Sequence, residues 1–388
     1  MHSRTLRFSW LSLLLSASVV VTGCGGGTHA VCNAPSASTC GCGACPADFV
    51  PWLYATTGSN QILGFSISSS GSLTALPAAT GPANSQSVAI DSNNLIFADT
   101  STNSVDSVGV DLVTGAFEPI QGSPFSLGAA SGGPTSVAVG PSGYLYTTEP
   151  NGTIVGLGTA SELGSFGTAL PGSPYPAGVA PAQMAIASSS PSFLYASDPG
   201  DATGGVLAYS LDSTGALTPI NGSPFPTLPN ANPSFVLSGS YTPQSGGLGV
   251  QFLLVSLTNA AKLAVFTINV DGSLTAVPGS PFLVGNGPST IVEDSSNHVF
   301  VMNAADHTVS AFNLGSSGAL TPIGSPVAVG TANGGMAYFP LGTLYLADTF
   351  GSEIWTLTVD TTTGALTQSG PPLAVSTPPL QLTEIGPF

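Results

Sequence analysis

The chain has 388 residues, and charged side chains make up 6% of it, against about 25% in an ordinary soluble protein. Lys and Arg number only three (Arg4, Arg7 and Lys262), whereas Asp and Glu number 19, so the formal net charge is −16. Because phosphate binding depends on lysine and arginine side chains, this composition excludes a nucleic-acid-binding protein.

Residues 1–23 have the pattern of a bacterial lipoprotein signal peptide. Arg4 and Arg7 precede an apolar run from Phe8 to Val21, and small residues lead into Cys24. This resembles a lipobox, whose cysteine is diacylated and becomes the mature N-terminus. The run is shorter than the ~20 residues of a transmembrane helix, and Cys24 lies where lipoprotein processing requires it, which disfavours the alternatives of a membrane anchor or an ordinary signal peptide. We expect an exported protein, attached by lipid on Cys24 to the membrane of the cell envelope, periplasmic or at the outer surface.

Residues 24–49 are predicted to be a lipidated, cysteine-rich tether. After Cys24 the remaining four cysteines lie close together, at Cys32, Cys40, Cys42 and Cys45. An even number of cysteines in an exported protein favours two disulfides, whose pairing the sequence leaves open. A four-thiolate zinc site is the alternative, disfavoured by the oxidising surroundings and by the lack of a second C-x2-C pair.

Residues 50–388 contain seven copies of one phrase. It reads TGAFEPIQGSPF from Thr114, TGALTPINGSPF from Thr214 and DGSLTAVPGSPF from Asp271. The turn glycines of the seven copies are spaced by 44 to 57 residues and are Gly71, Gly115, Gly164, Gly215, Gly272, Gly318 and Gly364. Such a period with β patterning is typical of the four-stranded blades of a β-propeller.

Each copy has the apolar segments that four strands require. Examples are SVAV at 136 for the innermost strand, LYTTE at 145 for the second, VLAYSL at 206 for the third and LTPI at 217 for the outer strand. Alternating, β-branched and aromatic runs bounded by Gly, Asn, Asp and Ser predict strands and hairpins. The sequence therefore predicts an all-β fold, a seven-bladed β-propeller, with no amphipathic helix.

The two ends of the repeat region predict how the ring closes. The first copy starts near Trp52 with its second strand, and the last segment, PPLQLTEIGPF at 378–388, matches the innermost strands of the other copies. We expect this C-terminal strand to complete the first blade, because closure removes open sheet edges.

The GSPF part of the phrase is expected to lead from the rim of one blade to the hub of the next. Proline there is expected to stop further pairing with the sheet, and the aromatic residue to fill the space between neighbouring blades.

Polar residues follow the second strand in most copies. Five copies carry an acid or an amide there, namely Asp99, Glu149, Asp198, Asn303 and Asp348. Thr57 and Ser256 are assigned to this position in the other two copies. These five form a candidate ligand-binding collar at one mouth of the ring, for a cation or a hydroxyl-rich ligand. The alternative is that each side chain only caps its own turn, as Asp and Asn often do.

Catalytic groups are scarce. His307 is predicted on the same face as the collar and His298 on the opposite face, so His307 or Glu149 is the candidate to activate water. No G-x-S-x-G or H-E-x-x-H motif is present, no residue cluster suggests a metal, and we expect no cofactor.

The strand phrases LYATT, LYLAD and VFVMN, with third strands ending in SLDSTGALT or TINVDGSLT, resemble the seven-bladed propeller lactonases, whose best-known members are 6-phosphogluconolactonases. They are also similar to surface-layer propellers with L-Y-V-x-N repeats. The resemblance implies the fold and a lactonase activity based on Arg, His and Glu in the central cleft. This propeller contains no arginine, which disfavours a phosphorylated or carboxylated substrate.

Two functions remain open from the sequence. The favoured one is a non-catalytic surface module that binds a protein or glycan partner. The alternative is a divergent lactone hydrolase that acts on a neutral lactone.

Overall fold

The structure is a computed structural model, and it describes residues 51–385 apart from 78, 82–84, 129–131, 161–163, 189 and 244–248. The chain divides into two units, 1–47 and 48–388, and all described residues lie in the second. The predicted signal peptide, tether, lipidation site and disulfides therefore lie outside the described residues and stay predictions.

Residues 52–385 form seven antiparallel sheets, the blades of a β-propeller, which confirms the predicted fold class. In every blade the inner, second and third strands are followed by an outer edge made of two short segments that both pair with the third strand. The strands of blades one to four, in the order inner, second, third and outer, are Pro379–Ile385, Trp52–Thr57, Gln61–Ile67 and Leu73–Ala75 with Ala79–Thr80; Ser85–Asp91, Asn94–Asp99, Ser104–Val110 and Phe117–Pro119 with Phe125–Ser126; Ser136–Val139, Leu145–Glu149, Thr153–Thr159 and Phe166–Ala169 with Tyr175–Pro176; and Met184–Ala187, Phe193–Ser197, Gly205–Leu211 and Leu217–Pro219 with Phe225–Pro226. Those of blades five to seven are Pro233–Tyr241, Val250–Leu257, Lys262–Ile268 and Leu274–Ala276 with Phe282–Leu283; Pro288–Glu293, His298–Asn303, Thr308–Leu314 and Leu320–Pro322 with Val327–Ala328; and Met336–Phe339, Thr343–Asp348, Glu353–Val359 and Leu366–Gln368 with Leu373–Ala374. Helical structure in the described residues is limited to two single 3-10 turns, Pro141–Gly143 and Thr258–Ala260.

The C-terminal strand closes the ring as the sequence predicts. Pro379–Ile385 pairs antiparallel with Trp52–Thr57, with Glu384 opposite Leu53. Each inner strand also contacts the inner strands of both neighbouring blades. The seven inner strands therefore form a closed ring around the central channel, and every blade has two neighbouring blades.

Neighbouring blades are joined through the turn glycines of the repeated phrase. All seven glycines have a positive φ, between 71° and 80°. In each case the space that a Cβ atom would need is occupied by the residue at the start of the preceding blade's second strand. The seven contacts are Thr343 with Gly71, Trp52 with Gly115, Asn94 with Gly164, Tyr144 with Gly215, Phe193 with Gly272, Phe252 with Gly318 and His298 with Gly364. Glycine recurs because both the φ angle and the close approach exclude a side chain.

The tyrosine of the LY phrases adds a hydrogen bond at four of these contacts. Tyr54, Tyr146, Tyr195 and Tyr345 are fully buried. Each donates its hydroxyl to the carbonyl of the turn glycine in the next blade, at 2.7 to 2.9 Å. The two repeated phrases are thus complementary parts of one interblade contact.

The prediction that the GSPF proline stops pairing with the sheet is wrong. Pairing resumes directly afterwards, since Phe125 lies opposite Val105 of the third strand. The serine explains the interruption, because the Ser123 hydroxyl accepts a hydrogen bond from Ser107 N at 2.9 Å in place of a strand carbonyl. The aromatic residue does lie between blades as predicted, and Phe125 packs edge-on against Phe166 of the next blade at 5.5 Å.

Candidate functional site

The five predicted collar residues lie where the second strands end, and all of them are buried. Asp198 accepts hydrogen bonds from Val179 N and Ala180 N at 2.8 and 2.9 Å, and Asp99 accepts one from Ser101 N at 2.8 Å. Asp99 therefore caps its own turn, as the turn-capping interpretation predicts, whereas these two bonds of Asp198 join its turn to the segment that leads into the inner strand of the same blade.

The other three collar residues also contact nearby groups. Asn303 accepts a hydrogen bond from Gly285 N at 3.0 Å, and Asp348 accepts one from Gly351 N at 2.7 Å. Glu149 accepts a hydrogen bond from the Thr147 hydroxyl at 2.8 Å. Ligand binding by the five residues stays a prediction.

The assignment of Ser256 to this position is wrong by one residue. In blade five Leu257 lies opposite Lys262, as Asn303 lies opposite Thr308 in blade six. Leu257 therefore holds the place of the collar residue, and it is fully buried. The comparison of the repeats placed Ser256 here because it is the polar residue nearest to the strand end, whereas the strand continues to the apolar Leu257.

His307 lies in the turn after the second strand of blade six, on the collar side as predicted. Its φ is +52°, and its carbonyl accepts a hydrogen bond from Val329 N at 3.0 Å. Its Nδ1 atom is buried without a hydrogen-bond partner among the described residues. A catalytic role for His307 stays a prediction.

His298 begins the second strand of blade six, on the opposite face. Its Nδ1 atom is 2.7 Å from the carboxylate of Asp294, and both side chains are buried. Since the His298 ring packs against Gly364, it belongs to the contact between blades six and seven.

Two carboxyl groups that the sequence analysis did not single out lie on inner strands, which surround the central channel. Glu293 ends the inner strand of blade six, opposite Val299, and Glu384 lies on the inner strand of blade one, opposite Leu53. The inner strand of blade seven lies between them and contributes Tyr338 at the same level, opposite Leu344. All three side chains are half-buried.

Burial changes the acidity of both carboxyl groups. Desolvation raises the pKa of Glu384 to about 8. Desolvation also raises the pKa of Glu293 to about 7. The hydrogen bond from Ser240 N lowers this pKa, and the negative charge of Asp294 raises it by a smaller amount. Ser240 N, on the inner strand of blade five, donates this hydrogen bond to Oε2 of Glu293 at 3.1 Å.

One oxygen of each carboxyl group lies inside the protein, away from solvent. Glu293 Oε1 and Glu384 Oε2 are buried and have no hydrogen-bond partner among the described residues. Tyr338 is close enough to Asp294 and Glu384 for their charges, added to desolvation, to raise the pKa of its phenol to about 12. The arrangement provides two carboxyl groups with raised pKa values and a neutral hydroxyl donor, which are groups that general acid–base chemistry near neutral pH uses.

A signal for these acids was present in the sequence. Both follow apolar residues at the ends of inner-strand segments, TIVE and LTEI, in a chain where acids are scarce. Their burial was not predictable from spacing alone, because it depends on packing between neighbouring blades.

The described residues also contain surface depressions. Two surface depressions lie between the outer parts of neighbouring blades, and neither is lined by a predicted site residue or a channel acid. Between residues 51 and 385, where described, no group of three or more His, Cys, Asp or Glu side chains is arranged to hold a metal ion. In the same part of the chain no helical segment has the length and apolar character to span a bilayer.

Comparison with solved structures identifies the class of fold. The chain is similar to the periplasmic gluconolactonase of Pseudomonas aeruginosa, with a TM-score of 0.71, 17% identity, and 87% of this chain and 100% of that chain covered. It is also similar to a Bacteroides fragilis protein provisionally assigned as a 6-phosphogluconolactonase, with a TM-score of 0.69, 16% identity, and 88% and 100% covered. No protein-family profile and no curated protein matches the sequence. The resemblance to propeller lactonases is therefore confirmed for the fold.

Proposed function

We propose that this chain is an exported hydrolase that opens a neutral lactone in the central channel. The observation that carries the proposal is the presence of two half-buried acids, Glu293 and Glu384, on inner strands of a fold shared with a periplasmic gluconolactonase. The scarcity of basic residues favours an uncharged substrate, since Lys262 is the one Lys or Arg after residue 7 and begins a third strand away from the hub.

Each group has a defined part in the reaction. Ionised Glu293 accepts a proton from water as the water oxygen forms a bond to the lactone carbonyl carbon. Protonated Glu384 donates its proton to the ring oxygen as the ring C–O bond breaks, which yields the hydroxy acid. The Tyr338 hydroxyl is the donor that can stabilise negative charge on the carbonyl oxygen.

The test is hydrolysis of simple δ-lactones by the purified protein, followed by acid release at constant pH. Glu293→Gln and Glu384→Gln are compared with His307→Ala and Glu149→Gln. Loss of activity in the first two variants alone supports the channel pair, and loss only with His307→Ala supports the alternative in which His307 activates water.

The non-catalytic binding module stays the second candidate. It is favoured by the collar pattern, because buried acids or amides recur at the ends of the second strands in five blades. A purified protein that opens no lactone, yet is retained by a glycan array or captures a partner protein, would favour this candidate.

Export and lipidation complete the proposal. Residues 1–23 and Cys24 support export with a lipid anchor, and the Pseudomonas aeruginosa neighbour is described as periplasmic. Labelling of the expressing cells with palmitate should mark the wild-type chain, and it should not mark Cys24→Ala.

A further inference from the structure

The inner strand of blade five is the longest of the seven inner strands. Pro233–Tyr241 has nine residues, whereas the other six inner strands have four to seven. Its last two residues, Ser240 and Tyr241, pair with the second strand beyond Phe252, the residue that contacts the turn glycine of blade six. Residues 240–242 are the blade-five extension.

The blade-five extension is hydrogen-bonded to blade six at two places. Asn297, in the turn after the inner strand of blade six, is buried and has a φ of +67°. Its Oδ1 accepts a hydrogen bond from Thr242 N at 2.7 Å, and its Nδ2 donates one to Thr242 O at 3.1 Å. The second place is Glu293, whose Oε2 accepts a hydrogen bond from Ser240 N at 3.1 Å. The extension is therefore held at the end of the inner strand that carries Glu293.

Gly239, directly before the extension, leaves room for the Glu293 carboxylate. A Cβ atom on Gly239 would overlap Oε2 of Glu293 and would lie 3.3 Å from Cδ1 of Leu254. Gly239 is buried and its φ is not in the left-handed region, so space and not backbone conformation accounts for the glycine. Because the carboxylate is the end of a flexible side chain, a methyl group at this position would displace the carboxylate more easily than the strand.

The hydrogen bond from Ser240 N favours the ionised form of Glu293. Desolvation and the negative charge of Asp294 act in the opposite direction and raise the pKa of Glu293. The backbone N–H of blade five is thus the group that favours the carboxylate, which is the form that the proposed reaction needs.

We propose that the blade-five extension positions the Glu293 carboxylate for proton transfer from water, with Gly239 providing the space and Asn297 holding the extension in place. This inference rests on the proposed hydrolase function. Gly239, Ser240 and Asn297 are positioning residues, because they act through Glu293 and take no part in the bonds that form or break.

The experiment follows the ionisation of Glu293 directly. The chain has six glutamates, so an NMR spectrum of protein with 13C-labelled glutamate carboxyl groups is simple, and the signal lost in Glu293→Gln identifies Glu293. In Gly239→Ala we expect the titration midpoint of Glu293 to rise by about one pH unit, because a hydrogen bond to the charged form is lost. The acid limb of the kcat profile should move by the same amount, which lowers kcat at about pH 5.5 by about tenfold.

Two further variants accompany Gly239→Ala. Gly167→Ala is the matched control, because Gly167 also lies in a strand without a positive φ, and a Cβ atom there would meet nothing closer than 3.8 Å. It should leave the titration and the kcat profile unchanged. Asn297→Gly keeps the positive φ and removes both bonds to Thr242, so it should raise the Glu293 midpoint by about half a pH unit. This variant carries the test if Gly239→Ala does not fold.

The possible failures are distinguishable. An unchanged Glu293 midpoint in both Gly239→Ala and Asn297→Gly would overturn the positioning role. An equal fall of kcat at every pH, without a shift of the midpoint, would also overturn it and leave Gly239 a structural role only. If the midpoint rises as expected but the wild type opens no lactone, the effect of the extension on the carboxylate is supported and the hydrolase proposal fails.

Discussion

The hydroxyl of Tyr345 donates a hydrogen bond to the carbonyl of Gly71 at 2.7 Å, and the two residues are 274 positions apart in the sequence. Tyr345 belongs to blade seven, and Gly71 forms the outer turn of blade one. The same bond joins blades one and two, three and four, and four and five. The ring is therefore closed by a repeat of an ordinary interblade contact, in addition to strand pairing by the C-terminal segment.

Removal of the Tyr345 hydroxyl should destabilise the closed ring. Tyr345→Phe leaves a buried carbonyl without its donor, and we expect the free energy of unfolding to fall by about 1–2 kcal/mol. Denaturant unfolding measures the change. Tyr144→Phe is the control, because its bond to Ser213 O is exposed and 3.2 Å long, and it should change the free energy by less than about 0.5 kcal/mol. Equal effects of the two variants would contradict the structural role assigned to Tyr345.

The turn glycine Gly115 should tolerate alanine less well than Gly370, a positive-φ glycine outside the set of seven turn glycines. Gly115 has φ +71°, and a Cβ atom there would lie 2.6 Å from the Trp52 ring. Gly370 has φ +77° with nothing within 4 Å of that position. Both substitutions strain the backbone, but only Gly115→Ala also displaces the neighbouring blade, so we expect it to cost about 1–3 kcal/mol more. Thermal unfolding of the two variants side by side provides the measurement, and equal losses would show that the interblade contact adapts without cost.

The channel acids should govern both the rate and the pH profile of lactone opening. Glu293→Gln removes the base and Glu384→Gln the acid, and each should lower kcat by at least about 100-fold. For the wild type we expect activity to rise as Glu293 ionises at about pH 7 and to fall as Glu384 loses its proton at about pH 8. The control is Asp212→Asn, an exposed turn residue, which should keep wild-type rates. Full activity of Glu293→Gln would eliminate the proposed base.

Stability should decrease as the pH is raised. Both glutamates have a raised pKa in the folded protein, so their contribution to stability is complete below the unfolded pKa of about 4.3 and is lost as the pH rises through 7 to 8. We expect the melting temperature at pH 8.5 to lie several degrees below that at pH 5, on the order of 3 °C for each 2 kcal/mol lost. In Glu384→Gln this difference should be smaller. A melting temperature independent of pH would mean that both carboxyl groups are solvated.

Trypsin should cut the mature protein only after Lys262, because no other Lys or Arg follows residue 7. In the folded protein Lys262 starts a strand paired with both Leu257 and Leu283, so we expect cleavage to require unfolding. Gel electrophoresis after digestion with and without denaturant checks both points. More than two fragments from the denatured chain would be inconsistent with the sequence.

The sequence alone determined the number of blades, the position of their turns and the closing role of the C-terminal segment. It did so because each blade is specified locally, by a positive-φ glycine and alternating strands, with an aromatic residue at the outer edge of four blades, and these features repeat visibly along the chain. The two errors were also local. Leu257, not Ser256, ends the second strand of blade five. In the GSPF segment the Ser123 hydroxyl accepts a hydrogen bond from Ser107 N of the third strand, and pairing resumes after the proline.

The candidate site was decided by the tertiary structure. Glu293, Tyr338 and Glu384 lie on the inner strands of blades six, seven and one, and blade one becomes the neighbour of blade seven only when the last strand closes the ring. Burial in that ring is also what raises the pKa of the two carboxyl groups. This desolvation arises from packing between blades, and a repeat pattern within each blade contains no information about it.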